Sequence, residues 1–170
     1  MSLDIAQQAT ALIDHIQTRF HEGHRRALPE LLCLAEAVEA RGIDEGLGDE
    51  LRAIGNALEL HMFKEEMRLF PMMEQGGNTL IGRLIDDLQC EHVEHEDAMN
   101  VFRARLAALS GASSVDPALQ QLVQAVDDLA NELASHMRAE DDELFPLFAV
   151  QRSVAPAALK PSLPISTTNP

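Results

Sequence analysis

The eleven residues His61-Met-Phe-Lys-Glu65-Glu-Met-Arg-Leu-Phe-Pro71 return in the same frame as His136-Met-Arg-Ala-Glu140-Asp-Asp-Glu-Leu-Phe-Pro146. A histidine and a glutamate four apart lie one above the other on a helix face, because four residues is just over one turn. Two helices carrying that pair can each aim an imidazole and a carboxylate at one point. Such mixed nitrogen and oxygen donors suit iron and its first-row neighbours. The repeat therefore predicts long helices packed around a metal-binding layer.

The rest of the chain supplies those helices. Segment A is expected from about Leu3 to Arg41, behind a Ser2 N-cap and ending at Gly42. Pro29 lies inside it and lacks the donor for the Arg25 carbonyl, so a kink is expected there. Segment B runs from about Leu47 to Gln75 and stops at Gly76-Gly77. Segment C starts after Asn78 and ends near Ser110-Gly111. Segment D opens with Asp116-Pro117, an N-cap followed by proline at the first helical position, and fades after Phe148.

Steps of three and four mark the buried face of each segment. In B they join Leu51, Ile54, Leu58, His61, Glu65, Leu69 and Met72; in D they join Leu119, Leu122, Val126, Leu129, Leu133, His136, Glu140, Leu144 and Leu147. In C the series is Ile81, Leu84, Leu88, His92, His95, Met99, Phe102, Leu106 and Leu109. Polar residues inside such a stripe point into the core, where an unpaired charge is expensive. Short loops between long helices give an all-α, up-down-up-down four-helix bundle. Residues 1–150 are expected to form this one domain, and residues 151–170, rich in Pro, Ser and Thr, a flexible C-terminal tail.

Composition removes several classes of function. A formal net charge of -15 leaves no basic surface for nucleic acid or anionic lipid. The N-terminus lacks a signal-peptide pattern and no run approaches a membrane span, so a cytoplasmic location is expected. Cys33 and Cys90 form no C-x-x-C pair and are expected to be reduced thiols, in the core or half exposed.

The remaining histidines fall into place around the repeat. The hairpin A–B resembles the hairpin C–D, and A and C each carry histidines three apart, His21/His24 and His92/His95. His21 stands forty residues before His61, and His92 forty-four before His136, which brings each pair to one level of an antiparallel hairpin. His21 and His92 are therefore candidate ligands beside His61, Glu65, His136 and Glu140. His24, His95 and Glu91 are candidates either for further ligation or for holding the ligands from behind. His15 is expected to be peripheral. No residue beyond the ligands is a candidate for catalysis. No glutamate stands three residues before any histidine, which disfavours a ferritin-like site, and H-E-x-x-H is absent. The chain has no tyrosine, which excludes a tyrosyl radical.

Arg-Phe-His21-Glu-Gly-His-Arg-Arg-Ala-Leu-Pro-Glu-Leu, the two His-x3-Glu…Leu-Phe-Pro runs and Glu91-His92 together resemble the hemerythrin-like (HHE) domain over residues from about 8 to 150. Within it, the chain is most similar to the di-iron proteins that repair iron centres under nitrosative and oxidative stress. That resemblance implies two non-haem irons, with His21, His61, His92 and His136 as terminal ligands, Glu65 and Glu140 as bridges, and room for an oxo bridge. It implies binding or reduction of nitric oxide or dioxygen, with iron-sulfur client proteins and an electron donor as partners. Any enzyme activity would then be that of a di-iron oxidoreductase acting on nitric oxide or another small oxidant. The alternative is an oxygen or redox sensor, or an oxygen binder, without catalysis. Oxygen-carrying hemerythrins place two histidines four apart on one helix and a carboxylate five after a histidine on another; here the spacings are three and four. Three features depart from the repair proteins. The chain starts directly at segment A, so their small N-terminal cysteine-containing domain is not expected. Ala57 stands where they are expected to carry a glutamate, and His95 is additional.

Overall fold

The computed structural model describes residues 4–112 and 116–153; the Ser2 cap and the tail beyond Ser153 lie outside the described residues. Four antiparallel rods form an all-α bundle. The first consists of α1 (Ile5–His15), a π-helical stretch (Ile16–His21) and α2 (Glu22–Glu39). The second consists of α3 (Leu47–Lys64), a π-helical stretch (Glu65–Leu69) and α4 (Phe70–Glu74). The third is the single helix α5 (Ile81–Ala112). The fourth joins α6 (Pro117–Arg138), a π-helical stretch (Ala139–Leu144) and a 3-10 turn (Phe145–Ser153). The first and third rods each pack against the second and fourth, which gives the square cross-section of an up-down-up-down bundle.

The connections follow the turn chemistry of the sequence. Gly42 and Gly46 bound the first loop at φ 69° and 80°, and Gly76 and Gly77 close the second rod at φ 90° and 80°. Asp116 caps α6 by accepting from the backbone N–H groups of Ala118 and Leu119. Arg105 of α5 ties down the first loop through Asp44, Glu50 and the Glu45 carbonyl. Helix α2 runs through Pro29 as one continuous element. Among the described residues, the departures from α-geometry within the rods are the three π-helical stretches and the closing 3-10 turn.

Those stretches shift the buried face by one residue. In the second rod the stripe passes from Glu65 and Leu69 to Phe70 and Met73, rather than to Met72; in the fourth it passes from Glu140 and Leu144 to Phe145 and Phe148, rather than to Leu147. In α5 it takes Ile85, with Leu84 only half-buried.

Two apolar clusters result. One joins Leu31, Leu51, Leu58, Met99, Phe102, Leu122, Leu129 and their neighbours; the other joins Ile13, Ile16, Phe20, Leu69, Phe70, Ile85, Leu144 and Phe148. Between them lies one polar layer, where His21, His24, His61, Glu65, His92, His95, His136 and Glu140 are all buried. Both cysteines are free and exposed, so neither belongs to the core. No described helix is long and apolar enough to cross a membrane.

Candidate metal centre

The π-helical stretches carry the polar layer. His21 ends the first, Glu65 begins the second and Glu140 is the second residue of the third. In each, one N–H reaches back five residues: Glu22 to Gln17, Phe70 to Glu65, and Phe145 to Glu140. Pro71 and Pro146 follow directly and have no N–H to return to the regular ladder, which favours the shifted register.

Two donor clusters stand side by side. In one, Nε2 of His21 and Nε2 of His136 are 3.1 Å apart, with Glu65 Oε2 at 3.3 Å from His21 and Glu140 Oε1 at 3.0 Å from His136. In the other, Nε2 of His61 and Nε2 of His92 are 3.2 Å apart, with Glu65 Oε1 at 3.3 Å from His61 and Glu140 Oε2 at 3.1 Å from His92. Each glutamate thus gives one oxygen to each cluster. The donor atoms of each cluster lie within 4.8 Å of one another.

These residues fit a pair of metal ions. Glu65 Oε1 and Oε2 and Glu140 Oε2 are buried and accept no directed hydrogen bond, although imidazole nitrogens stand near them. A buried acceptor left in that state costs about 1–3 kcal/mol. Donors held at about 2.0–2.2 Å from a shared ion lie roughly 3 Å from one another, the spacing of both clusters.

Each ring is fixed from behind. Nδ1 of His21 lies 2.7 Å from Glu66, which Arg25 grips in turn at 2.9 and 3.2 Å. Nδ1 of His61 lies 3.0 Å from Glu91, itself paired with Lys64. Nδ1 of His92 lies 3.0 Å from Asp141, which accepts from the Gln89 amide. Nδ1 of His136 faces His24 Nε2 at 3.3 Å. A carboxylate behind an imidazole fixes its tautomer, leaving Nε2 free for a metal, and raises its basicity. The phenylalanines of the two Leu-Phe-Pro runs also serve the layer: Phe70 stacks on His21 and Phe145 on His92.

The electrostatics ask for positive charge. Burial, reinforced by Glu140, pushes the Glu65 carboxyl up to about 8. Burial acts on Glu140 in the same sense, but the charges and hydrogen bonds of His136 and His92 outweigh it and hold that carboxyl well below the usual range. His92 is desolvated too, yet Asp141 and Glu140 carry it up to about 10. Burial, with His136 and His21 beside it, draws His24 down to about 3; burial, with His61 next, draws His95 down to about 4. A cation between the carboxylates satisfies them without a proton.

All six predicted ligands meet in this layer, but they pair across the hairpins, His21 with His136 and His61 with His92. His24 stands behind His136. His95 is not part of either four-donor cluster; its ring meets the edge of His61 at 5.0 Å, and it groups with His61 and Glu91 instead. His15 is exposed, and Ala57 lies exposed on α3. Sequence reasoning missed Glu66 and Asp141. The signal was there, because an acid follows the shared glutamate in both copies of the repeat. A cavity of about 400 Å³ between α5 and α6, lined in part by His92, Met99, Leu133, Ala134 and Asp141, approaches the layer from outside.

A four-helix bundle with a buried layer of histidines and shared carboxylates defines a class of helical cation-binding proteins. The model of the hemerythrin HHE cation-binding domain matches residues 12–148, and the chain belongs to that family. It is 33% identical over 147 residues to the iron-sulfur cluster repair protein YtfE of Dickeya chrysanthemi, covering 82% of this chain and 66% of that one. It is 32% identical over 140 residues to a probable iron-sulfur cluster repair protein of Haemophilus influenzae, covering 79% and 63%. The chain thus spans a little under two thirds of the length of these relatives.

Proposed function

We propose that this protein is a non-haem di-iron protein that binds or reduces nitric oxide or dioxygen under nitrosative and oxidative stress and supports the repair of iron-sulfur centres. The observation that carries this reading is the sharing of Glu65 and Glu140 between two buried clusters, one oxygen to each. His21 and His136 would hold one iron, His61 and His92 the other, with both glutamates as bridges. Bound there, the irons would supply an electron-rich pair able to take a small diatomic ligand and to change valence.

The chain's own residues do the rest. Glu66, Glu91 and Asp141 orient three rings and hold a proton on each Nδ1. The apolar clusters on either side keep the layer dry, and the cavity beside His92 admits a molecule of diatomic size. Damaged iron-sulfur centres come from outside the bundle, in keeping with the names of the relatives, and an electron donor does too.

The test is metal analysis of protein purified without oxygen, followed by titration of the same sample with nitric oxide and with dioxygen. Two irons per chain and a spectral change with consumption of nitric oxide are expected. A two-iron protein indifferent to both nitric oxide and dioxygen would sink the proposal. Reversible spectral cycling with dioxygen and no consumption of either gas would assign the sensing or oxygen-binding alternative.

A further inference from the structure

The repeat relating the two halves of the chain also relates the two donor clusters. His21 corresponds to His92, His61 to His136, Glu65 to Glu140 and Glu66 to Asp141. The correspondence fails one residue before His21 and His92. Glu91 precedes His92 and takes the Nδ1 side of His61. Its counterpart is Phe20, which precedes His21 and lies against His136 at 5.4 Å with 16° between the planes. Nδ1 of His136 meets the His24 imidazole instead. In any protonation state, that imidazole brings no negative charge.

The carboxylates add to the imbalance. On the His21 side one carboxylate, Glu66, stands behind a ring, and it shares the Arg25 guanidinium with Glu59. On the other side two carboxylates stand behind rings, and Lys64 answers Glu91 while Asp141 accepts from an amide. The His61–His92 cluster therefore has a carboxylate behind both of its imidazoles, and the His21–His136 cluster behind only one. Removing a carboxylate from behind a metal-bound imidazole typically costs about 10–100-fold in affinity.

We propose that the two metal positions are unequal: the His61–His92 position fills first and holds its ion tightly, and the His21–His136 position is the exchangeable one, with Phe20 and His24 setting the difference. This rests on the two-ion reading above.

The test is a titration of the full metal-free chain with cobalt(II), in competition with a chromophoric chelator. Two steps separated by about 10–100-fold are expected. E91Q should weaken the first step and bring the two together. H24E places a carboxylate behind His136 and should tighten the second step by about tenfold, while H24Q should leave it unchanged. H136A should keep one ion at the wild-type first affinity, and H61A should keep one at the weaker affinity.

Two equal steps, or E91Q acting only on the weaker ion, would overturn the proposal while leaving the two-ion reading intact. If H24E does not fold, the E91Q and H136A titrations decide the matter alone. A wild-type chain that takes up fewer than two cobalt ions removes the two-ion reading itself, and this inference with it.

Discussion

The ring of Phe145 lies almost parallel to the imidazole of His92, with 12° between their planes and 5.9 Å between their centres. Phe70 meets His21 at 5.8 Å and 22°, so the two copies of Leu-Phe-Pro treat their histidines alike. The leucine of each run is buried in the apolar cluster below the layer, and the phenylalanine reaches from that cluster to a histidine ring of the layer. The runs are therefore part of the site as well as of the fold.

Phe145→Leu keeps most of the apolar volume and removes the ring face. It should cost about 1–2 kcal/mol of stability, from lost packing and ring contact together. The metal count should stay at wild type, but release to a chelator should quicken because His92 is less firmly held. Urea unfolding and stopped-flow chelation measure the two effects. Release as slow as wild type would deny the ring any part in holding His92.

Glu65 is fully buried, and its carboxyl is shifted upward mainly by that burial. Glu65→Gln removes a charge that the metal-free bundle has little means to satisfy. Thermal melts at pH 8 should therefore show a metal-free variant at least as stable as the wild type, while the loaded protein falls short of two ions. A variant that retains two ions would contradict the bridging role proposed for this carboxylate.

Much of this was written in the sequence, and the exceptions have physical causes. The stripes name the cores because burial follows helical period, and the in-stripe histidines and glutamates all arrive in the layer. The intervals between His21 and His61, or His92 and His136, give height along a rod but not rotation about it. For that reason the pairing of His21 with His136 was not legible. The π-helical stretches were hidden as well, since Leu69 and Met72 continue a regular stripe as plausibly as Phe70 and Met73. Only the doubled prolines at Pro71 and Pro146 hint at the shift. His24 and His95 look equivalent by spacing, and they part company because Phe20 and Glu91 differ one residue before His21 and His92.

The metal-free protein should have its stability maximum near neutrality. His92 at about 10 and Glu65 at about 8 both lie above their ordinary values of 6.5 and 4.5. Each contributes stability that is complete below the ordinary value and lost as pH rises through the shifted one. His24 at about 3 and His95 at about 4 lie below 6.5, so their contribution is complete above 6.5 and lost as pH falls toward 4 and 3. The two limbs meet at about pH 6.5. Loading with metal should flatten the alkaline limb, because the ions take the place of the protons. Melting curves from pH 5 to 10, with and without metal, test this. A metal-free protein that grows more stable from pH 6.5 to 9 would show that other groups govern the profile.

The cavity between α5 and α6 touches His92 and Asp141, whereas a larger one of about 600 Å³ between α2 and α6 touches His24 and Phe20. Only the first is lined by a member of the donor clusters, and this singles it out as the approach for a small ligand. Ala134 lines it and is exposed, so Ala134→Phe can fill the mouth without entering the core. Ala125 lines the other cavity, and Ala125→Phe serves as the control. With iron content and melting temperature unchanged in both, Ala134→Phe should slow the binding of nitric oxide several-fold, and Ala125→Phe should leave the rate as it was. Stopped-flow mixing of the reduced protein with nitric oxide reads both rates. Slowing by Ala125→Phe alone would move the entrance to the His24 side, next to the position proposed to be the exchangeable one.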